Sequence, residues 1–170
     1  GAAEAAQAAL RLTPNMAEAH FQLGTARLAQ GRRSEATEEF REALRANSDF
    51  AEARLSLAHA LRQAGDLYEA IGHYREYLRL RPDEAGVRLS LANALQGRER
   101  FEDAIREYDE VIRLRPELSI AHYNLAVTLE RAGQTERARQ EYQTYLQLSP
   151  DAVDAAEVRV HMRKLGSPTP

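Results

Sequence analysis

Proline stands at Pro14, Pro82, Pro116 and Pro150, so the successive spacings are 68, 34 and 34, and Ser48 occupies the one slot left without it. A mark that recurs at a constant period means that one supersecondary unit is used several times, each copy burying its apolar face against the next. The chain has 170 residues, which is five such periods. Cutting along the prolines gives four full units at 17–50, 51–84, 85–118 and 119–152, with 1–16 before them and 153–170 after.

The units agree at fixed offsets. The seventh residue is Leu23, Leu57, Leu91 or Leu125, and the eighth is small: Gly24, Ala58, Ala92 or Ala126. The twentieth is Ala36, Ala70, Ala104 or Ala138; the twenty-fourth is Phe40, Tyr74, Tyr108 or Tyr142; the twenty-eighth is Leu44, Leu78, Ile112 or Leu146. Apolar spacings of three, four and seven place these residues on two helical stripes per unit. Period-2 alternation is absent, and Ala, Leu, Glu and Arg favour helix over strand. The break between the two helices falls at Gly31, Gly65 and Gly133, where the left-handed conformation is open to the backbone, and Glu99 fills that place in the third unit. Asn15, Asp49, Asp83 and Asp151, just after the proline slot, are expected to cap the next helix, with Glu117 favouring the helix end by charge alone.

These residues resemble the tetratricopeptide repeat (TPR), whose unit pairs a helix A with a helix B and carries Leu, a small residue, Ala, an aromatic, an aliphatic and Pro at these offsets. Four matches follow in register without an insertion. The resemblance implies an all-α chain: a right-handed α-solenoid of helix-turn-helix units with about ten helices. Residues 1–16 then read as helix B of a truncated earlier unit, 153–165 as a C-terminal capping helix and 166–170 as a flexible tail, and the chain looks excised from a longer one. Three departures stand out. The family's large aromatic at the fourth position is replaced by His20, Arg54, Arg88 and His122, and Arg27 stands where the first unit would have Leu, so the first unit is expected to be the least stable. Tyr77 and Tyr145 replace a usual Ala and need extra room.

In the family, helix A lines the concave surface through its second, fifth, sixth, ninth, twelfth and thirteenth positions. The fifth positions here are Phe21, Leu55, Leu89 and Tyr123, an apolar row. Beside it run Ser56 and Asn124 at the sixth position, and Thr25, His59, Asn93 and Val127 at the ninth, with Arg62 and Arg131 further along. Glu18, Glu52 and Glu130 against Arg62 and Arg131 leave this face nearly neutral. Family members that clamp acidic peptide tails use Lys at the second and fifth positions, whereas the only lysine here is Lys164, so that mode is not expected despite Asn93 and Asn124. What remains suits an amphipathic helix or an extended segment of a partner protein.

Composition narrows the function further. With zero Cys there is no disulfide framework, thiolate cluster or cysteine nucleophile, and both a cytoplasmic and a periplasmic location are compatible with that. A net charge of −3 argues against a nucleic-acid surface, and no stretch approaches the roughly 20 apolar residues of a membrane span. His20, His59, His73, His122 and His161 never pair at i, i+3 or i, i+4, so neither a metal site nor any other cofactor is expected. His73 reads as a surface residue between Glu69 and Glu76. No catalytic constellation is legible. The reading is a non-catalytic adaptor or scaffold; the alternatives are a docking arm of a larger enzyme, such as a glycosyltransferase, and an assembly scaffold for a pilus or envelope complex that self-associates through its terminal helices.

Overall fold

The computed structural model describes residues 17–165. The expected truncated N-terminal helix, with Asn15, and the expected tail lie outside the described residues. The described chain is all helix and turn, with no strand among the described residues. It divides into two compact units, Gly1–Pro82 and Asp83–Pro170. The first contains α1 (Ala17–Ala29), α2 (Arg33–Ala46), α3 (Ala51–Ala64) and α4 (Leu67–Leu80). The second contains α5 (Ala85–Gly97), α6 (Phe101–Leu114), α7 (Ser119–Arg131), α8 (Thr135–Leu148) and α9 (Ala155–Leu165).

Each helix pair closes over one aromatic ring. Phe40, Tyr74 and Tyr108 are fully buried and Tyr142 nearly so, and each lies on the second helix of its pair. The first helix meets the ring with its smallest residue. A Cβ placed on Gly24 would lie 2.7 and 2.8 Å from Phe40 ring carbons, so in this pair nothing larger than hydrogen fits. Ala58, Ala92 and Ala126 hold the same place in the other pairs, and all three are fully buried. The alanines at 36, 70, 104 and 138 are also wholly inaccessible, which lets the helices of a pair approach closely.

The turn inside each pair is a Schellman motif. The amide of the residue after the turn reaches back to a carbonyl five places earlier: Arg32 to Arg27 (3.0 Å), Asp66 to Leu61 (2.9 Å), Arg100 to Leu95 (3.0 Å) and Gln134 to Leu129 (2.8 Å). The residue before that amide must then be left-handed, and it is: Gly31, Gly65 and Gly133 have φ of 76°, 90° and 77°. Glu99 takes φ 57° at the same place and carries the side-chain penalty of that conformation.

The links between pairs correct one expectation. Arg81, Arg115 and Ser149 leave their helices with φ of −136°, −142° and −139° because the following proline excludes the helical region. Asn47, before Ser48, adopts a similar extended geometry. A tight turn follows, closed by Phe50 N–H to Asn47 O (3.2 Å) and by Leu118 N–H to Arg115 O (3.1 Å). Asp49 and Asp83 therefore sit inside the turn, and the cap positions fall one residue later, on Phe50 and Glu84, without a side-chain cap bond. Asp151 does not cap either, since α9 starts only at Ala155.

Three of the four fourth-position departures are bridges between the helices of a pair; Arg54 instead donates to the Ser48 carbonyl. His20 Nδ1 donates to Glu39 (2.8 Å), Arg88 to Glu107 (2.6 Å) and His122 Nδ1 to Glu141 (2.7 Å), always nineteen places on. Arg27 pairs with Glu35 and Glu39, so a charged bridge replaces the missing leucine contact. The extra tyrosines are accommodated: Tyr77 is buried beneath the Arg81 guanidinium, 5.7 Å from its ring centre, and Tyr145 is buried with its hydroxyl donating to Asp154.

Two substitutions test this packing. Gly24→Ala drives a methyl group into the buried Phe40 ring and should lower stability by about 1–3 kcal/mol in urea denaturation. Glu99→Gly removes a left-handed side chain and should raise stability by about 1 kcal/mol, with an unchanged helical circular dichroism spectrum.

Candidate protein-binding surface

The twelve residues singled out from sequence lie on α1, α3, α5 and α7, the first helices of the four pairs. The structure uses them unequally. In the first unit, Phe21 is half-buried and packs on Phe40 and Phe50, with ring centres 5.9 and 5.0 Å apart. Thr25 is exposed but returns its hydroxyl to the Phe21 carbonyl (2.9 Å). Leu55 and Ser56 are half-buried, and Arg62 is exposed. His59 packs its ring 5.5 Å from Tyr74, and its Nε2 is buried without a hydrogen-bond partner.

In the compact unit that starts at Asp83, Leu89 is half-buried and Arg131 is exposed. Tyr123 packs on Tyr142 (5.9 Å) and Tyr145 (5.2 Å), and Val127 joins the same apolar cluster with Val158 of α9. Asn93 and Asn124 are brought together, Asn124 Nδ2 donating to Asn93 Oδ1 at 3.1 Å. That oxygen also accepts from the buried Tyr108 hydroxyl at 2.6 Å, and the hydroxyl lies 3.3 Å from Gln96 Oε1. The two asparagines thus tie neighbouring helix pairs together as well as presenting amide groups.

A cleft of about 590 Å³ opens where α9 meets α7 and α8, lined among others by Tyr123, Tyr142, Val158, Val160, His161 and Lys164. At it, Glu130 accepts from His161 Nε2 (2.8 Å) and from the Tyr142 hydroxyl (3.2 Å). Burial, reinforced by the Glu130 charge, holds the Tyr142 hydroxyl well above the usual tyrosine range. Glu130, Tyr142, Tyr108 and His161 were not legible as neighbours in a reading made unit by unit. The signal was a sequence separation of 31, which links Asn93 to Asn124 and Glu130 to His161 and joins the ninth position of one unit to the sixth or twelfth of another.

Carboxylates on this face are already engaged: Glu52 holds Arg81 (3.0 Å) and Glu18 accepts from Gln22 (2.7 Å). Among the described residues no group of three or more His, Asp or Glu could hold a metal ion, and no helix is long and apolar enough to cross a membrane.

The pH dependence of stability follows from two imidazoles. His59 titrates below the ordinary imidazole range because burial disfavours its charged form and Arg62 adds to that effect. His73 is half-buried rather than the surface residue expected from sequence, and burial lowers it too, with Arg54 and Arg41 adding and Glu69 opposing. A base whose folded pKa is lowered contributes stability that is present above its unfolded pKa and lost as pH falls through the folded value. The unfolding free energy should therefore drop below about pH 6.5, and less steeply in His59→Gln, as measured by urea denaturation across that range. Identical slopes for the two proteins would remove His59 from the account.

The comparisons with known proteins agree with this architecture. The tetratricopeptide repeat family profile matches residues 21–85 and 89–153. Among solved structures, that of YrrB, a TPR protein with an unusual peptide-binding site, superposes with a TM-score of 0.84 at 21% identity, covering 94% of this chain and 80% of that one. MamA superposes with a TM-score of 0.81 at 21% identity over 88% of each chain, and MamA residues 41 to the end from Desulfovibrio magneticus RS-1 with 0.77 at 20% identity, covering 88% of this chain and 92% of that one. A search of curated proteins finds no match. With its repeat offsets, Schellman turns and ring-on-small-residue packing, the chain belongs to the tetratricopeptide repeat family and has its all-α solenoid fold.

Proposed function

We propose that the chain is a non-catalytic protein-interaction module, an adaptor or scaffold, that holds a segment of a partner protein on the first helices of its repeats. The observation that carries this reading is the shared state of Leu55 and Leu89. They occupy the same repeat position on α3 and α5, each is only half-buried within its own compact unit, and each is followed by a serine and a polar ninth residue, His59 or Asn93. Half-exposed aliphatic anchors flanked by amide, hydroxyl and imidazole groups fit a segment that inserts side chains while its backbone meets polar partners. Tyr123 offers a third anchor where its ring borders the α9 cleft. Phe21 contributes less, because two rings of its own unit already cover it. The peptide-binding site of YrrB, a protein of the same fold, supports the class of ligand.

The doubly substituted Leu55→Glu, Leu89→Glu protein tests the reading. Neither position is fully buried, so the helical circular dichroism spectrum should persist, while the affinity for partner segments captured by the wild-type chain should fall about tenfold or more per lost anchor. Equal capture by both proteins would place binding on another face.

A further inference from the structure

The bridge between fourth and twenty-third positions joins a basic residue, His or Arg, on the first helix to a glutamate on the second in three of the four units: His20 with Glu39, Arg88 with Glu107, and His122 with Glu141. In the second unit the same two places hold Arg54 and His73. The arginine is present and its carboxylate is missing. Arg54 donates to the Ser48 carbonyl through Nη2, while its Nε is buried without a hydrogen-bond partner.

Nearby acids do not fill the gap. Glu69 lies 3.6 Å from His73, but both its oxygens accept from Arg41, at 2.9 and 3.1 Å. Glu38 is taken by Arg41 as well, and Glu42 by Arg45. Beside His73 the surface opens into a cleft of about 240 Å³, lined by Arg41, Leu44, Arg45, Leu57, Glu69 and His73. Its lining combines two leucines with two arginines, an imidazole and the Glu69 carboxylate that Arg41 holds.

From this juxtaposition we infer that the second repeat binds a carboxylate from outside the chain, seated between Arg54 and His73 where the other repeats supply their own glutamate. The guanidinium provides N–H donors and the charge, and His73 provides a ring N–H; a carboxylate oxygen accepts from both. Leu44 and Leu57 of the cleft suit the methylene stem that carries such a group. Arg41 and Arg45 on α2 add positive charge, and Glu69 on α4, held by Arg41, is the one acidic neighbour of His73 within the cleft. A carboxylate bound here favours the charged imidazole, so binding should tighten as pH falls and should move the titration of His73 to higher pH.

Titration of the full chain with sodium glutarate, and separately with a hexaglutamate peptide, against a sodium chloride control of equal ionic strength, tests this by following the His73 ring proton in NMR spectra. The expected result is a saturable His73 response to carboxylate and none to chloride, lost in Arg54→Gln. His73→Glu, titrated with the same probes by isothermal calorimetry, should also show no binding and should have a raised melting temperature, because it restores the pair of the other units; the first and third units already carry an acid at both the corresponding places, Glu35 with Glu39 and Asp103 with Glu107. Comparable affinity for both probes identifies a free carboxylate as sufficient, and much tighter binding of the peptide identifies an acidic segment of a partner; either supports the site. A non-saturable response to both probes, a response unchanged in Arg54→Gln, or carboxylate binding that survives in a folded His73→Glu protein would overturn it.

Discussion

The contact on which the rest depends is a buried aromatic ring laid against the smallest residue of the facing helix. Phe40 on Gly24 is its extreme, with no room for a methyl group, and in the other pairs buried tyrosines at 74, 108 and 142 and buried alanines at 58, 92 and 126 hold the same two repeat positions. The ring fixes how closely the two helices of a pair approach. Close approach in turn brings the fourth position within hydrogen-bonding reach of the twenty-third, where His20, Arg88 and His122 find their glutamates. Packing that tight leaves the turn no freedom, which is why the left-handed residue recurs even when it is Glu99.

Function follows from what this contact leaves over. Once the stripe at the seventh and eighth positions is committed to the second helix, the fifth, sixth and ninth positions of the first helix border solvent or a neighbouring pair. Their use is divided. Asn93, Asn124 and Val127 are partly engaged in holding pairs together, and Tyr123 and Phe21 in ring contacts, whereas Leu55 and Leu89 remain half-open. Asn93 and Asn124 tie one helix pair to the next, so under the proposed reading recognition and packing would share the same side chains. The carboxylate gap at Arg54 and His73 has a different origin: it is a place where the repeat departs from its own rule.

The fold was legible because its determinants are local and periodic. A proline at the end of a repeat excludes helix at the residue before it, and Gly31, Gly65 and Gly133 mark the left-handed turn, so the positions of the breaks could be read directly. The caps were misplaced for an equally physical reason. The acids at 49 and 83 are consumed by the turn that the pre-proline geometry requires, which moves the cap one residue onward. The candidate surface was less legible, since exposure depends on partners far away in sequence. Phe50 covers Phe21 and Tyr145 covers Tyr123, and neither neighbour belongs to the stripe that identified the row. The substitutions at the fourth position looked like lost packing when each unit was considered alone, but a basic residue and a glutamate nineteen places apart recur in the sequence in three of the four units.

Amide hydrogen exchange on the chain with and without a bound partner segment tests most directly whether the first helices carry recognition. The account predicts that added protection concentrates on α3 and α5, around Leu55 and Leu89, and extends to α7 near Tyr123, with α4 and α6 little changed. Protection confined to the second helices, with α3 and α5 exchanging as in the unbound chain, would contradict it.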